Sequence, residues 1–167
     1  MAWLLPLLVV APLAGAACLV LGRSAWTARV LLATCAALLA LAVALAARVL
    51  GDGPFTAAGG WLHADALAAL VVCIVAGTAL PCAWYGTIYM PFVGTRDHTD
   101  ANWAPGRYEA LLLALVGSML LAAVANNLGL LWIAIEAGTL ASALLVGYYR
   151  RPGAIEAAWK YLVLCSV

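Results

Sequence analysis

A glutamate and a lysine lie in two consecutive apolar segments in the last quarter of the sequence. Glu136 is in the middle of the apolar run 128–147, and Lys160 follows in the next apolar segment, four residues after Glu156. A carboxylate at the centre of a membrane helix costs about 2.5–3.5 kcal/mol on insertion scales, so it usually serves a function. An acid and a base on neighbouring membrane helices predict proton binding and release.

Each of these residues also has a simpler interpretation. Glu136 can be a structural carboxylate that a neighbouring helix satisfies, and Lys160 can pair with Glu156 at i,i+4 or extend to the membrane interface. Thr139 lies on nearly the same helical face as Glu136 and can support it. Glu109 stands near the start of a helix, where an acid favours the helix dipole; support of the Glu136 site is its alternative role.

The composition defines the class of protein. Of 167 residues 68% are hydrophobic and 9% are charged, whereas a soluble domain carries about 25% charged residues. We therefore predict an all-α, polytopic integral membrane protein in a lipid bilayer. The net charge of +1 without a basic cluster argues against nucleic acid as a partner. Five cysteines lie singly in apolar runs and two histidines stand alone, so the sequence predicts neither a metal site nor a cofactor site.

The apolar runs predict five full transmembrane helices and a truncated sixth, because about 20 residues are needed to cross the bilayer. The five spans are residues 3–21, 30–50, 66–90, 108–125 and 128–149, and the sixth begins near Ile155. Asn126-Asn127 predicts a tight helical hairpin, and loop 51–65 predicts a short β-hairpin or an interfacial cap. Asp65 is expected to cap the third helix. The short sixth segment indicates a fragment of a longer chain.

Arginines predict the orientation of the helices. Six of them lie in the connections between helices 1 and 2, 3 and 4, and 5 and 6, whereas the other side of the membrane has Arg48 alone. The six are Arg23, Arg29, Arg96, Arg107, Arg150 and Arg151. By the positive-inside rule these connections face the cytoplasm, so the N-terminus is predicted to be outside.

The C-terminal quarter of the sequence resembles a known family. Residues 126–149, which read NNLGLLWIAIEAGTLASALLVGYY, and residues 156–167, EAAWKYLVLCSV, resemble the antiporter-like membrane subunits of hydrogenase-4 and formate hydrogenlyase. These subunits are similar to the proton-pumping subunits of respiratory complex I and of multisubunit cation/proton antiporters. Residues 107–119 extend the resemblance more weakly. We accordingly divide the chain into N-terminal helices 1–3, residues 1–107, and the start of an antiporter-like domain, residues 108–167.

The resemblance implies roles for individual residues. In that family the fifth-helix glutamate, here Glu136, belongs to the proton pathway and tunes the charge of a lysine on a broken seventh helix. The sixth-helix lysine, here Lys160, is also linked to transport. Gly138 stands where relatives usually have threonine. The resemblance further implies a subunit of an oxidoreductase complex without redox chemistry or a cofactor of its own. Its partners would be other membrane subunits, in a bacterial inner membrane.

Other functions stay open at this point. The chain can belong to a non-redox cation/proton antiporter or to an inorganic-carbon uptake complex. It can also be a structural membrane protein in which Glu136 fixes helix packing. A membrane enzyme with Glu136 as a base is a further alternative, but no nucleophile, metal-ligand set or cofactor motif supports it.

Overall fold

Six α-helices and one small β-hairpin form the described part of the chain, which a computed structural model gives for residues 3–21, 26–96, 105–149 and 152–166. The elements are α1 (Leu4–Leu21), α2 (Thr27–Asp52), β1 (Phe55–Ala57), β2 (Leu62–Ala64), α3 (Ala66–Arg96), α4 (Pro105–Val124), α5 (Leu128–Val146) and α6 (Pro152–Ser166). Short 3-10 turns follow β1 and α5. We call the end of the bundle with the α1–α2, α3–α4 and α5–α6 connections the arginine end. The end with the β-hairpin and the α4–α5 turn is the hairpin end.

The helices correspond to the long apolar runs, because a helix satisfies every backbone hydrogen bond within its own segment. Five of them, α1 to α5, are long and apolar enough to cross a membrane. The prediction of five spans and a shorter sixth helix is confirmed, since α6 has 15 residues. Several boundaries differ from the prediction: α3 continues to Arg96, α6 begins at Pro152 rather than near Ile155, and α4 begins at Pro105 rather than at residue 108, as suits proline in a first helical turn. Glu109 therefore lies just beyond that first turn.

Helix α4 is the centre of the bundle. It packs against α1, α3 and α5, while α2 packs against α1 and α3. Small residues permit close approach: a Cβ atom added to Gly15 of α1 would lie 3.0 Å from Leu113 Cδ1, and one added to Gly117 would lie 3.1 Å from Pro12 Cγ. The largest fully buried side chains are leucines: Leu5, Leu8, Leu31, Leu38, Leu45, Leu113 and Leu120.

The outer surface of the bundle is also apolar. Large hydrophobic side chains such as Leu70, Ile74 and Ile133 are exposed in the isolated chain. A soluble protein rarely exposes so many together, whereas a membrane protein needs them against lipid or neighbouring membrane helices. The chain is therefore a multi-pass membrane protein. Which end of the bundle faces the cytoplasm stays a prediction.

A two-stranded antiparallel hairpin closes one end of the bundle, which confirms the expectation for loop 51–65. β1 pairs with β2, with Thr56 opposite His63. Gly59 and Gly60 turn the chain at φ values of 67° and 91°, which glycine adopts without a steric cost. Arg48 of α2 places its guanidinium 4.1 Å from the ring centroid of Phe55 and so holds β1 against the end of α2.

The two asparagines of the α4–α5 turn have different structural roles. Asn127 caps α5, and its side chain accepts hydrogen bonds from the backbone N–H groups of Gly129 (2.8 Å) and Leu130. Asn126 instead binds the β-hairpin: its Nδ2 donates to the Gly60 carbonyl at 2.8 Å and its backbone N–H to the Trp61 carbonyl at 2.9 Å. The sequence predicted the turn but not this connection to the hairpin. Asp65 caps α3 as predicted, with its Oδ1 2.7 Å from the Ala68 nitrogen.

The same substitution at these neighbouring asparagines should have unequal effects. Asn126→Asp removes the donor to Gly60 and should lower the free energy of unfolding by about 1 kcal/mol. Asn127→Asp keeps a capping oxygen and places a negative charge at a helix N-terminus, so it should change stability by less than about 0.5 kcal/mol. Thermal unfolding of the two variants in detergent micelles measures the difference. Equal losses would show that the Asn126 side chain does not hold the hairpin.

Candidate functional site

Glu136 lies near the middle of α5, eight residues after Leu128 and ten before Val146. Its side chain is half-buried in the described chain. Within the described residues its carboxylate forms no hydrogen bond and no ion pair, although its backbone carbonyl accepts one from Thr139. A carboxylate at this depth therefore has no counter-charge from the part of the chain that the structure describes, which is costly in a bilayer.

Glu136 points away from the centre of the bundle. Gly138 faces α4, because a Cβ atom added there would lie 3.0 Å from Ser118 Oγ. Glu136 stands two residues earlier, about 200° around the helix, and so lies on the opposite side of α5. Its own side is shared with Gly147, about three turns later, where an added Cβ atom would lie 3.3 Å from Ala158 of α6. Gly138 thus allows close packing on α4, but the acid belongs to the side that packs on α6.

Hydroxyl groups follow Glu136 along α5 and reach α6. Thr139 Oγ1 donates to the Glu136 carbonyl at 2.8 Å, and Ser142 Oγ donates to the Thr139 carbonyl at 2.9 Å. The Ser142 hydroxyl is also hydrogen-bonded to the Tyr161 hydroxyl of α6, with 3.2 Å between the oxygens. Thr139 therefore contacts the backbone of Glu136 rather than its carboxylate. This is the one polar contact between α5 and α6 whose partners are both side chains in the described chain.

Lys160 pairs with its own helix. Its Nζ lies 2.5 Å from Glu156 Oε1, one turn earlier, and both side chains are about two-thirds exposed in the isolated chain. This i,i+4 pair is the simpler of the interpretations that the sequence offered. The structure does not bring Lys160 and Glu136 together, because the described part of α6 runs beside the half of α5 nearer the arginine end.

A second carboxyl group is far more buried than Glu136. Glu109 of α4 is 6% exposed, and its Oε2 is buried without a hydrogen-bond partner. The side chain of Thr27, at the start of α2, is hydrogen-bonded to it. Ser118, which faces α5, stands nine residues later, about two and a half turns, so Glu109 faces away from α5. The sequence predicted a helix-dipole role, with support of the Glu136 site as the alternative, and the structure does not bring Glu109 to the α5 side of α4 where Glu136 would need it. The signal that was missed is the nearby Gly106, which permits close packing.

Known proteins resemble this chain in sequence and in fold. No protein-family model matches the chain. A hydrogenase-4 component F homologue of Methylacidiphilum infernorum is 45% identical to it over 60 residues, which are 36% of this chain and 13% of that protein. The resemblance inferred from the sequence is thereby confirmed. Over this stretch the chain is similar in sequence to a hydrogenase-4 component F homologue.

The fold has a counterpart among solved structures. A chain of the membrane-bound sulfane sulfur reductase, an archaeal respiratory membrane complex, superposes with a TM-score of 0.76 at 21% sequence identity. The match covers 96% of this chain and 33% of the other, so it includes the N-terminal helices for which the sequence offered no motif. At this level of identity it establishes the fold alone. The chain spans about an eighth of the curated hydrogenase-4 relative and a third of the solved chain.

Proposed function

We propose that this chain is part of a proton-translocating, antiporter-like subunit of a redox-driven membrane complex such as hydrogenase-4 or an NADH:quinone oxidoreductase. The observation that carries the proposal is the carboxylate of Glu136, which lies at mid-helix with no counter-charge from the described residues. The hydrogenase-4 component F homologue and the respiratory membrane complex support the same class of subunit. The setting would be a bacterial inner membrane, with other membrane subunits as partners.

In this proposal Glu136 is a switchable counter-charge. When the carboxylate is ionised, it stabilises a positive charge on a neighbouring helix; when it is protonated, that stabilisation is lost. It lies on the side of α5 that packs against α6 and away from α4, the centre of the bundle. Redox chemistry in another subunit would change the balance between these two states. Protons would then move through hydrated channels on either side of the membrane.

The driving force can be tested in the complete protein. Inverted vesicles that contain the intact complex should acidify inside when its electron donor is supplied, as reported by a pH-sensitive dye. Acidification that requires a sodium or potassium gradient instead of the electron donor would favour the non-redox antiporter. Neither response, with the subunit present and folded, would favour a structural role.

Lys160 should be needed as a group that loses its proton. Lys160→Gln removes the charge, and Lys160→Arg keeps it on a guanidinium that does not deprotonate in proteins. If the lysine transfers protons, both variants should reduce proton translocation, by roughly tenfold or more. The initial rate of acidification in the same vesicles gives the measurement.

Glu156→Gln serves as the matched control for this experiment. It breaks the same exposed pair but leaves the ammonium in place, so it should reduce translocation much less than Lys160→Gln does. Full activity of Lys160→Arg would mean that only the positive charge is needed. Full activity of Lys160→Gln would show that Lys160 pairs with Glu156 but takes no part in proton translocation.

A further inference from the structure

Glu109 occupies a junction of three helices at the arginine end. Thr27 at the start of α2 is hydrogen-bonded to its carboxyl group, and Gly106, three residues earlier on α4, approaches the end of α1 closely. A Cβ atom added to Gly106 would lie 2.9 Å from the Leu19 carbonyl oxygen and 3.3 Å from Thr27 Cγ2. This close packing keeps solvent away from Glu109 Oε2.

The described elements around this junction offer Glu109 no counter-charge. α1 contains no charged residue, and its cysteine is exposed. On α2, Arg29 places its guanidinium 5.4 Å from the ring centroid of Trp26. On α4, Arg107 is exposed and stands two residues before Glu109, a spacing at which helical side chains do not face each other. α3 presents Gly86 to Tyr108, and near this end its described side chains include the exposed tyrosines Tyr85 and Tyr89 but no Asp, Glu, Lys, Arg or His. The remaining charged or titratable groups of the connections lie outside the described side chains: Arg23, Arg96, Asp97, His98, Asp100, Arg150 and Arg151.

An ionised carboxylate is poorly supported here. The N-termini of α2 and α4 are both at this end, and their dipoles favour a negative charge modestly. No backbone N–H of the described residues donates to Glu109, however, and the desolvation of an unpaired carboxylate outweighs a helix-dipole interaction. The hydrogen bond from Thr27 favours the ionised form, but burial without a counter-charge opposes it more strongly. A neutral carboxylic acid therefore fits the junction better, because it carries no net charge.

We propose that Glu109 is a proton-binding site separate from Glu136, and that it holds its proton at neutral pH in the junction of α1, α2 and α4. The ligand is the proton itself: the acid dissociates to a carboxylate and H⁺, and no co-reactant is needed. Release of the proton requires a donor or a cation to reach Oε2, so the occupancy of the site depends on how closely the three helices pack. Any use of this proton in transport rests on the proposed function; its binding does not.

Infrared difference spectroscopy on the complete protein at neutral pH tests the site. The spectrum of wild type minus Glu109→Gln should contain the C=O stretching band of a protonated carboxylic acid. Glu136→Gln should keep that band, even if it stops proton translocation. Thr27→Val should shift the band to higher frequency, because the carbonyl then loses its hydrogen bond. The infrared result for Glu109 can therefore be interpreted even if the proposed transport function is wrong.

Two further variants keep the experiment decisive. If Glu109→Gln does not assemble, Glu109→Asp should retain an acid band at a shifted frequency, and Thr27→Val still identifies the group. The absence of any acid band that responds to Glu109 or Thr27 at neutral pH would overturn the proposal. A band that appears only in Arg23→Gln would also overturn it, since Glu109 would then be an ionised partner of Arg23.

Discussion

Glu136→Gln should abolish proton translocation and leave the protein folded. The amide has nearly the same size and shape as the carboxylate, but it can neither bind nor release a proton. Groups that transfer protons contribute about 10²–10⁴-fold to the rates they serve, so we expect translocation to fall by roughly a hundredfold or more. Packing should be unaffected, because the carboxylate makes no hydrogen bond or ion pair within the described chain. Dye-reported acidification of inverted vesicles and the amount of assembled complex measure the two properties separately.

Two further substitutions define what this result means. Glu136→Asp keeps an acid one methylene closer to the backbone and should retain part of the activity. Asp52→Asn is the matched control: it neutralises a carboxylate whose side chain is 75% exposed at the hairpin end, and it should leave translocation unchanged. Normal translocation in Glu136→Gln would contradict the proposed function and favour the structural role. Loss of the assembled complex in Glu136→Gln would likewise assign the residue to packing.

The helices could be predicted from the sequence because a membrane span is a local property. Twenty apolar residues must form a helix in lipid wherever they occur, so the runs at residues 30–50 and 66–90 gave two helices without knowledge of their neighbours. The ends of the helices could not be predicted as closely, because polar residues such as Thr27 and Asp52 extend α2 beyond its apolar run. A helix ends where its hydrogen bonds end, and hydropathy does not report that point.

The surroundings of the acids could not be predicted in the same way. Position in the apolar run correctly marked Glu136 as deep in its helix. Which side of α5 it occupies depends on how Gly138 packs against Ser118, and this is a contact between two helices. The burial of Glu109 was harder still to predict, because the polar start of a helix normally faces water. Its burial results from the close approach of α1 at Leu19 and of α2 at Thr27. Both residues are far from Glu109 in the sequence.

That close approach should make Gly106 the glycine at which a single methyl group costs most. In Gly106→Ala the new Cβ atom would lie 2.9 Å from the Leu19 carbonyl, which is backbone and cannot rotate away. The ends of α1 and α4 must therefore separate, and we expect a loss of about 1–3 kcal/mol in the free energy of unfolding. Thermal unfolding in detergent micelles, with the intact protein, measures this loss.

Gly77→Ala is the matched control, since it adds the same methyl group in the middle of α3. Nothing lies within 4 Å of the added Cβ atom there, and alanine favours a helix over glycine by up to about 1 kcal/mol. This variant should be neutral or slightly stabilising. If both variants unfold at the wild-type temperature, α1 and α4 are not packed as closely at Gly106 as the structure places them. Because the same contact excludes water from Glu109, its loosening would also weaken the basis for a proton held there.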